Sequence, residues 1–160
     1  MPKPPSSMPT IYAGWQYYQS LLTKALTPLS SDQLALRAAP RLRSIGGMAT
    51  HMIGARARWF MMGEGDDEFA PFAKWDRRGR RPRSAAELVG GLETTWQGMQ
   101  AAIARWTPTD WQQTWPGEYP DDPPVITRHW VIWHLIEHDV HHGGEISLTL
   151  GMHGLKAPDL

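Results

Sequence analysis

Four stretches of this chain repeat apolar residues at spacings of three and four, and none alternates them convincingly at spacing two. That pattern restricts the chain to amphipathic helices packed against one another. The first stretch begins at Thr10 and puts Ile11, Trp15, Tyr18, Leu22 and Leu26 on one face, with Pro28 limiting its length. The second starts near Ser44 and aligns Ile45, Met48, Met52, Ala55, Trp59 and Met62, with His51 beside the stripe. The third opens at the capping-box pair Ser84 and Glu87, buries Leu88, Leu92, Trp96, Met99 and Ile103, and ends at Thr107-Pro108. The last runs from an N-cap at Thr127 to a glycine stop at Gly151. A further capping box, Ser30 with Gln33, predicts a short helical turn closed by Pro40. The expected fold is all-α, a four-helix bundle with long connections between helices 2 and 3 and between helices 3 and 4.

At 160 residues the chain has room for one ordinary domain, expected over 10–160, behind a flexible Pro- and Ser-rich leader at 1–9. Sixteen basic residues balance sixteen acidic ones, so no global field draws in nucleic acid or an anionic membrane. There is no apolar run of signal or membrane-spanning length, and the expectation is a soluble, cytoplasmic protein. Cysteine is absent, which removes disulfides and thiolate catalysis from the chain itself. Any metal must therefore be held by nitrogen and oxygen.

Of the two connections, residues 63–83 carry four acidic residues followed by a basic cluster and read as a long exposed loop, either a solvated link or an anion-recruiting rim. The second, rich in Pro and Asp, carries Trp111, Trp115 and Tyr119, whose aromatic area predicts packing against the bundle.

Five of the seven histidines fall between His129 and His142. On a helix His134, His138 and His142 stack four residues apart on one side, and neighbours in such a ladder can share an ion. A straight ladder does not readily supply three ligands to one ion, so a third must come from elsewhere; His51, on a different helix, is the candidate. Spacing leaves open whether its partners are His134 and His138 or His138 and His142. Three histidines would keep positions free for water or substrate. HLIEH at 134–138 also matches a zinc-peptidase pattern, with His134 and His138 as ligands and Glu137 as base, and HDVHH imitates a second with Asp139 in the glutamate's place. Isolated His129 and His153 read as surface or hydrogen-bonded residues.

THMIGARARWF at 50–60 and HLIEHDVHHGGEISLTLGMHG at 134–154, with helices in the expected order between them, resemble the DinB-like, or YfiT-like, metalloenzyme family. The resemblance covers the chain after residue 9. It implies one ligand from the second helix and two from the last, carried over here to His51, His138 and His142. His134, His141 and Glu145 would then orient those ligands or line the pocket. Members commonly end the motif His-His-Arg-Gly-Gln, whereas this chain has His141, His142, Gly143, Gly144 and Glu145. The resemblance further implies a divalent transition metal, Zn²⁺ or Ni²⁺, a homodimer, and a small-molecule substrate. Relatives are linked to S-transfer with low-molecular-weight thiols such as mycothiol or bacillithiol. Activated water and hydrolysis, or metal binding without catalysis, are the competing expectations.

Overall fold

The computed structural model describes residues 8–64, 69–77, 79–117 and 122–158, without the side chains of residues 8, 9 and 61–64. Its long helices are α1 (Met8–Leu26), α3 (Ile45–Glu64), α4 (Ala85–Arg105) and α6 (Arg128–Met152), with the short helices α2 (Ser31–Leu34) and α5 (Pro108–Trp111) in the connections. The four expected helices are thus present in order. Leader residues 1–7 and the side chain of Met62 lie outside the described residues, while Met8 and Pro9 already belong to α1, where proline is tolerated in the first turn.

Both predicted capping boxes form: the Ser30 hydroxyl accepts from the Gln33 amide, and Ser84 from that of Glu87, with the reciprocal side-chain bonds in place. α2 stops at Leu34, well before Pro40. α6 passes through Gly151 to Met152, so the chain turns later than expected, at Gly154 with φ +68°, where the Leu155 amide bonds back to the Leu150 carbonyl. Thr107-Pro108 ends α4 and also starts a helix, since Thr107 caps α5 with proline in its first turn.

The second connection contains a feature the periodicity did not announce. Thr114–Pro116 (β1) and Val125–Thr127 (β2) pair antiparallel, Trp115 opposite Ile126. Three-residue strands are too short to show an alternating pattern. Trp111 and Trp115 pack on the core as expected, and Tyr119 lies outside the described residues.

α3 is the central element, packing on α4, α6 and a 3₁₀ turn at Phe72–Lys74. Its buried residues include Met48, Met52, Ile53 and Phe60, with small Ala49, Ala55 and Ala57 letting neighbouring elements close in. Trp15, Leu22 and Leu26 of α1 are buried as predicted, whereas Ile11 is 46% exposed. Within the 63–83 connection, Phe69 is buried and Phe72 and Trp75 pack on the core, whereas Arg77, Arg80, Arg81 and Pro82 are exposed as expected. Its acidic residues at 64–68 lie outside the described side chains.

A dry ion pair crosses the middle of the bundle. Arg56 and Asp139 are both fully buried, with Nη2 to Oδ2 at 2.6 Å. Arg56 also donates to Gln19 Oε1 and the Leu92 carbonyl, and Trp15 Nε1 donates to Asp139 at 2.7 Å. All four long helices thus meet at one polar node in which both charged groups are paired, while Gln19 Nε2 has no hydrogen-bond partner among the described residues. Asp139, a glutamate stand-in under the second peptidase pattern, is committed to this node.

Candidate metal centre

His51 projects from the second turn of α3, and His138 and His142 lie one turn apart on α6. Because α3 packs directly on α6, these three imidazoles meet, with one potential ligand atom from each within 4.8 Å of the others. The ring centroids of His51 lie 4.9 Å from His138 and 5.0 Å from His142, and those of His138 and His142 are 4.5 Å apart. Among the described residues, the other group of potential ligands is His141, His142 and Glu145.

The outer nitrogens show which way the rings face. His51 Nδ1 lies 2.8 Å from Asp76 Oδ2, and His142 Nδ1 lies 2.6 Å from Glu145 Oε2. An ionised carboxylate only accepts, so each of these nitrogens carries the hydrogen, which in a neutral ring leaves Nε2 its lone pair. Carboxylates behind histidines in this manner fix tautomer and orientation at metal sites. Asp76 is in turn gripped by Arg58, with contacts of 2.7 and 3.0 Å. Burial alone would raise the Asp76 carboxyl, but the hydrogen bonds from His51 and Arg58 hold it well below the usual carboxylate range. Its approach needs Gly54, where a Cβ would stand 2.9 Å from Asp76 Oδ1.

His138 is strongly desolvated. Burial, followed by the charges of His142 and His51, pushes it down to about 3. His142 is lowered as well, chiefly by burial and against the pull of Glu145. These two ligand candidates are therefore neutral at physiological pH, the form a metal requires. His138 Nδ1 is buried with no hydrogen-bond partner, while its Nε2 lies 3.2 Å from His51 Nε2. Two nitrogens sharing one tetrahedral Zn²⁺ at ~2.0–2.1 Å lie roughly 3.3 Å apart. The donor set, the neutrality of His138 and His142, and this spacing all fit a divalent transition ion.

His134 stands outside the cluster. Its ring stacks on Trp130 at 4.8 Å and meets Trp59 edge-on at 5.0 Å, and burial lowers its pKa. Glu137 is 58% exposed and 3.6 Å from His134, and neither residue belongs to a ligand group among the described residues. Among the described residues the H-x-x-E-H pattern as a whole is therefore not part of a three-ligand group. His141 is exposed, 3.8 Å from Glu145. His129 is exposed against Trp111, and exposed His153 meets the Arg37 carbonyl.

Asp76 was missed from sequence because it sits in an aperiodic loop 25 residues after His51, a contact that no local pattern announces. The departures from the family motif acquire physical meaning. Glu145 supplies a carboxylate to His142, and Gly143 leaves room for the ring and hydroxyl of Tyr18, which donates to the Val140 carbonyl at 3.2 Å. A side chain at 143 would collide with that ring.

Two solved structures share the fold. A DinB-like protein from Bacillus cereus ATCC 10987 superposes with a TM-score of 0.70 at 21% identity, covering 93% of this chain and 94% of that one. A DinB-like protein from Bacillus subtilis gives 0.66 at 14% identity, covering 94% and 96%. No curated protein matches the sequence. The sequence model of the DinB superfamily matches residues 15–146, which span α1 through most of α6 and include all three clustered histidines, and the chain belongs to that superfamily.

Proposed function

We propose that this protein is a metal-dependent enzyme whose ion, Zn²⁺ or Ni²⁺, is held by His51, His138 and His142. One observation carries the reading: three imidazoles from two helices converge, two of them backed by carboxylates that turn their lone pairs toward one another. The chemistry that a divalent ion supplies in a neutral three-histidine set is acidity, so that a thiol or water beside it gives up its proton near neutral pH. The chain has no cysteine, so the thiol is a low-molecular-weight cosubstrate and the acceptor a small electrophile. The protein's share of the work is geometric. Asp76 and Glu145 hold two of the rings, and the Arg56–Asp139 node fixes the register of α3 against α6. Trp59 and Trp130 form an aromatic wall one turn away, around His134.

The test is elemental analysis of protein purified without a histidine tag, followed by turnover assays with and without thiol. Near-stoichiometric metal lost in both His51→Ala and His138→Ala supports the shared site. Little metal after reconstitution sinks it. Turnover that requires thiol selects transfer, and turnover without it selects hydrolysis. Tight metal binding with neither activity leaves a binding protein.

We also propose that the protein is a homodimer and works in the cytoplasm, where reduced small thiols are held. Trp133, Val140, Leu148 and Met152 are 49–62% exposed and follow helical spacing along one face of α6, an apolar stripe suited to a second copy. No described helix is long and apolar enough to cross a membrane. Sedimentation of wild type against Trp133→Glu tests the dimer.

A further inference from the structure

We propose that the cleft between the N-terminal ends of α3 and α4 binds a small polyanion, a molecule with two or more carboxylate or phosphate groups. The cleft holds about 680 Å³, within the range of ~300–1,000 Å³ typical of small-molecule sites. Its described lining includes six arginines, Arg37, Arg43, Arg77, Arg80, Arg81 and Arg83, against two carboxylates, Asp76 and Glu87, an excess of four positive charges. In a chain whose charges cancel overall, this concentration is local and concave.

The two carboxylates are already engaged. Asp76 is taken by Arg58 and His51. Glu87 is shared among Arg81, Arg83 and the cap of α4, and the Arg81 hydrogen bonds foremost hold it below the usual carboxylate range. Among the described residues, Arg43, Arg77 and Arg80 have no acidic partner. Arg83 is pre-positioned, its guanidinium 4.3 Å from the centre of the Trp75 ring that lines the same cleft. Arginine forks match carboxylate and phosphate oxygens two at a time, so a ligand with several such groups can engage several arginines at once. The helix ends add positive potential, but their capping hydroxyls already occupy amides, so recognition falls to the arginines.

None of the three clustered histidines lines the cleft, although Asp76, which holds His51, does, so the two sites adjoin while the proposal does not depend on the metal reading. The experiment is calorimetric titration of the full chain at low ionic strength with citrate and, separately, inorganic pyrophosphate. The expected result is saturable 1:1 binding of at least one probe, with the preference identifying carboxylate or phosphate as the natural group. Affinity should fall about tenfold or more in the double variant Arg77→Gln, Arg80→Gln and also fall in Arg43→Gln, consistent with losing at least one charge-assisted hydrogen bond. It should be unchanged in His138→Ala. All three arginines are exposed, and circular dichroism verifies that their variants keep the fold. Failure of both probes to bind at millimolar concentration overturns the proposal. So does undiminished binding in the arginine variants, or binding of a duplex oligonucleotide where both small probes fail.

Discussion

The Arg56–Asp139 node and the three-histidine cluster are neighbours in sequence and in space, on the same two helices, yet they treat polar groups in opposite ways. In the node each charged group points at its complement, and Trp15, Gln19 and the Leu92 carbonyl take up further donors and acceptors. In the cluster, like groups face one another, the carboxylates stand behind them, and His138 Nδ1 has no partner at all. A satisfied buried pair is a structural joint. A set of imidazoles that face one another, with His138 and His142 held neutral by burial, is an arrangement that an ion placed between them would stabilise.

Substitutions can break that contrast, and the largest effect belongs to the node. Asp139→Ala leaves Arg56 charged, buried and unpaired, and should cost about 3–5 kcal/mol in chemical denaturation. A double variant that replaces both residues with apolar ones of similar size should recover much of that loss. If the single and double variants are equally destabilised, the node is not an ion-pair joint.

The cluster should behave in the opposite sense once metal is stripped. His138 titrates near 6.5 when unfolded and at about 3 when folded, so between those values the unfolded chain binds the extra proton. Stability from this source is complete above about pH 6.5 and drains away as pH falls toward 3. His142 and His134 shift in the same direction, so His138→Gln should flatten the acid slope of stability without abolishing it. An unchanged slope between pH 4 and 6.5 in metal-free His138→Gln would falsify the buried, neutral assignment.

The same contrast explains what could be seen in the sequence. The four long helices were legible because each buries a stripe that repeats locally, and the Ser30–Gln33 and Ser84–Glu87 caps because each is a pairing over three residues. His51, His138 and His142 could be singled out because helical spacing and the family motif marked them. The node could not be read: Arg56 and Asp139 are 83 residues apart, and each alone resembles an ordinary polar residue on a helix. Asp76 escaped for a similar reason. Nothing in a loop of mixed charge says which carboxylate will fold back onto a helix, and the space at Gly54 that admits it becomes meaningful only in three dimensions.

Within the cluster, the two supporting carboxylates are not equal. Asp76 is only 13% exposed and locked by Arg58, so it holds His51 from a fixed position. Asp76→Asn removes the negative charge and presents an amide whose donors compete with the His51 hydrogen; metal affinity should fall about 10–100-fold, measured by competition with a chelator.

Glu145 is 43% exposed and reaches His142 from three residues along the same helix. Glu145→Gln keeps an oxygen that can accept the His142 Nδ1 hydrogen, and solvent screens the charge that is lost. The family motif commonly carries glutamine at this place, so affinity should fall by less than about tenfold, below the lower end of supporting-residue effects. Glu145→Ala, which removes the acceptor, should fall further than Glu145→Gln. If Gln and Ala are equally damaging, charge rather than orientation is what Glu145 contributes, and the difference drawn between the two carboxylates fails.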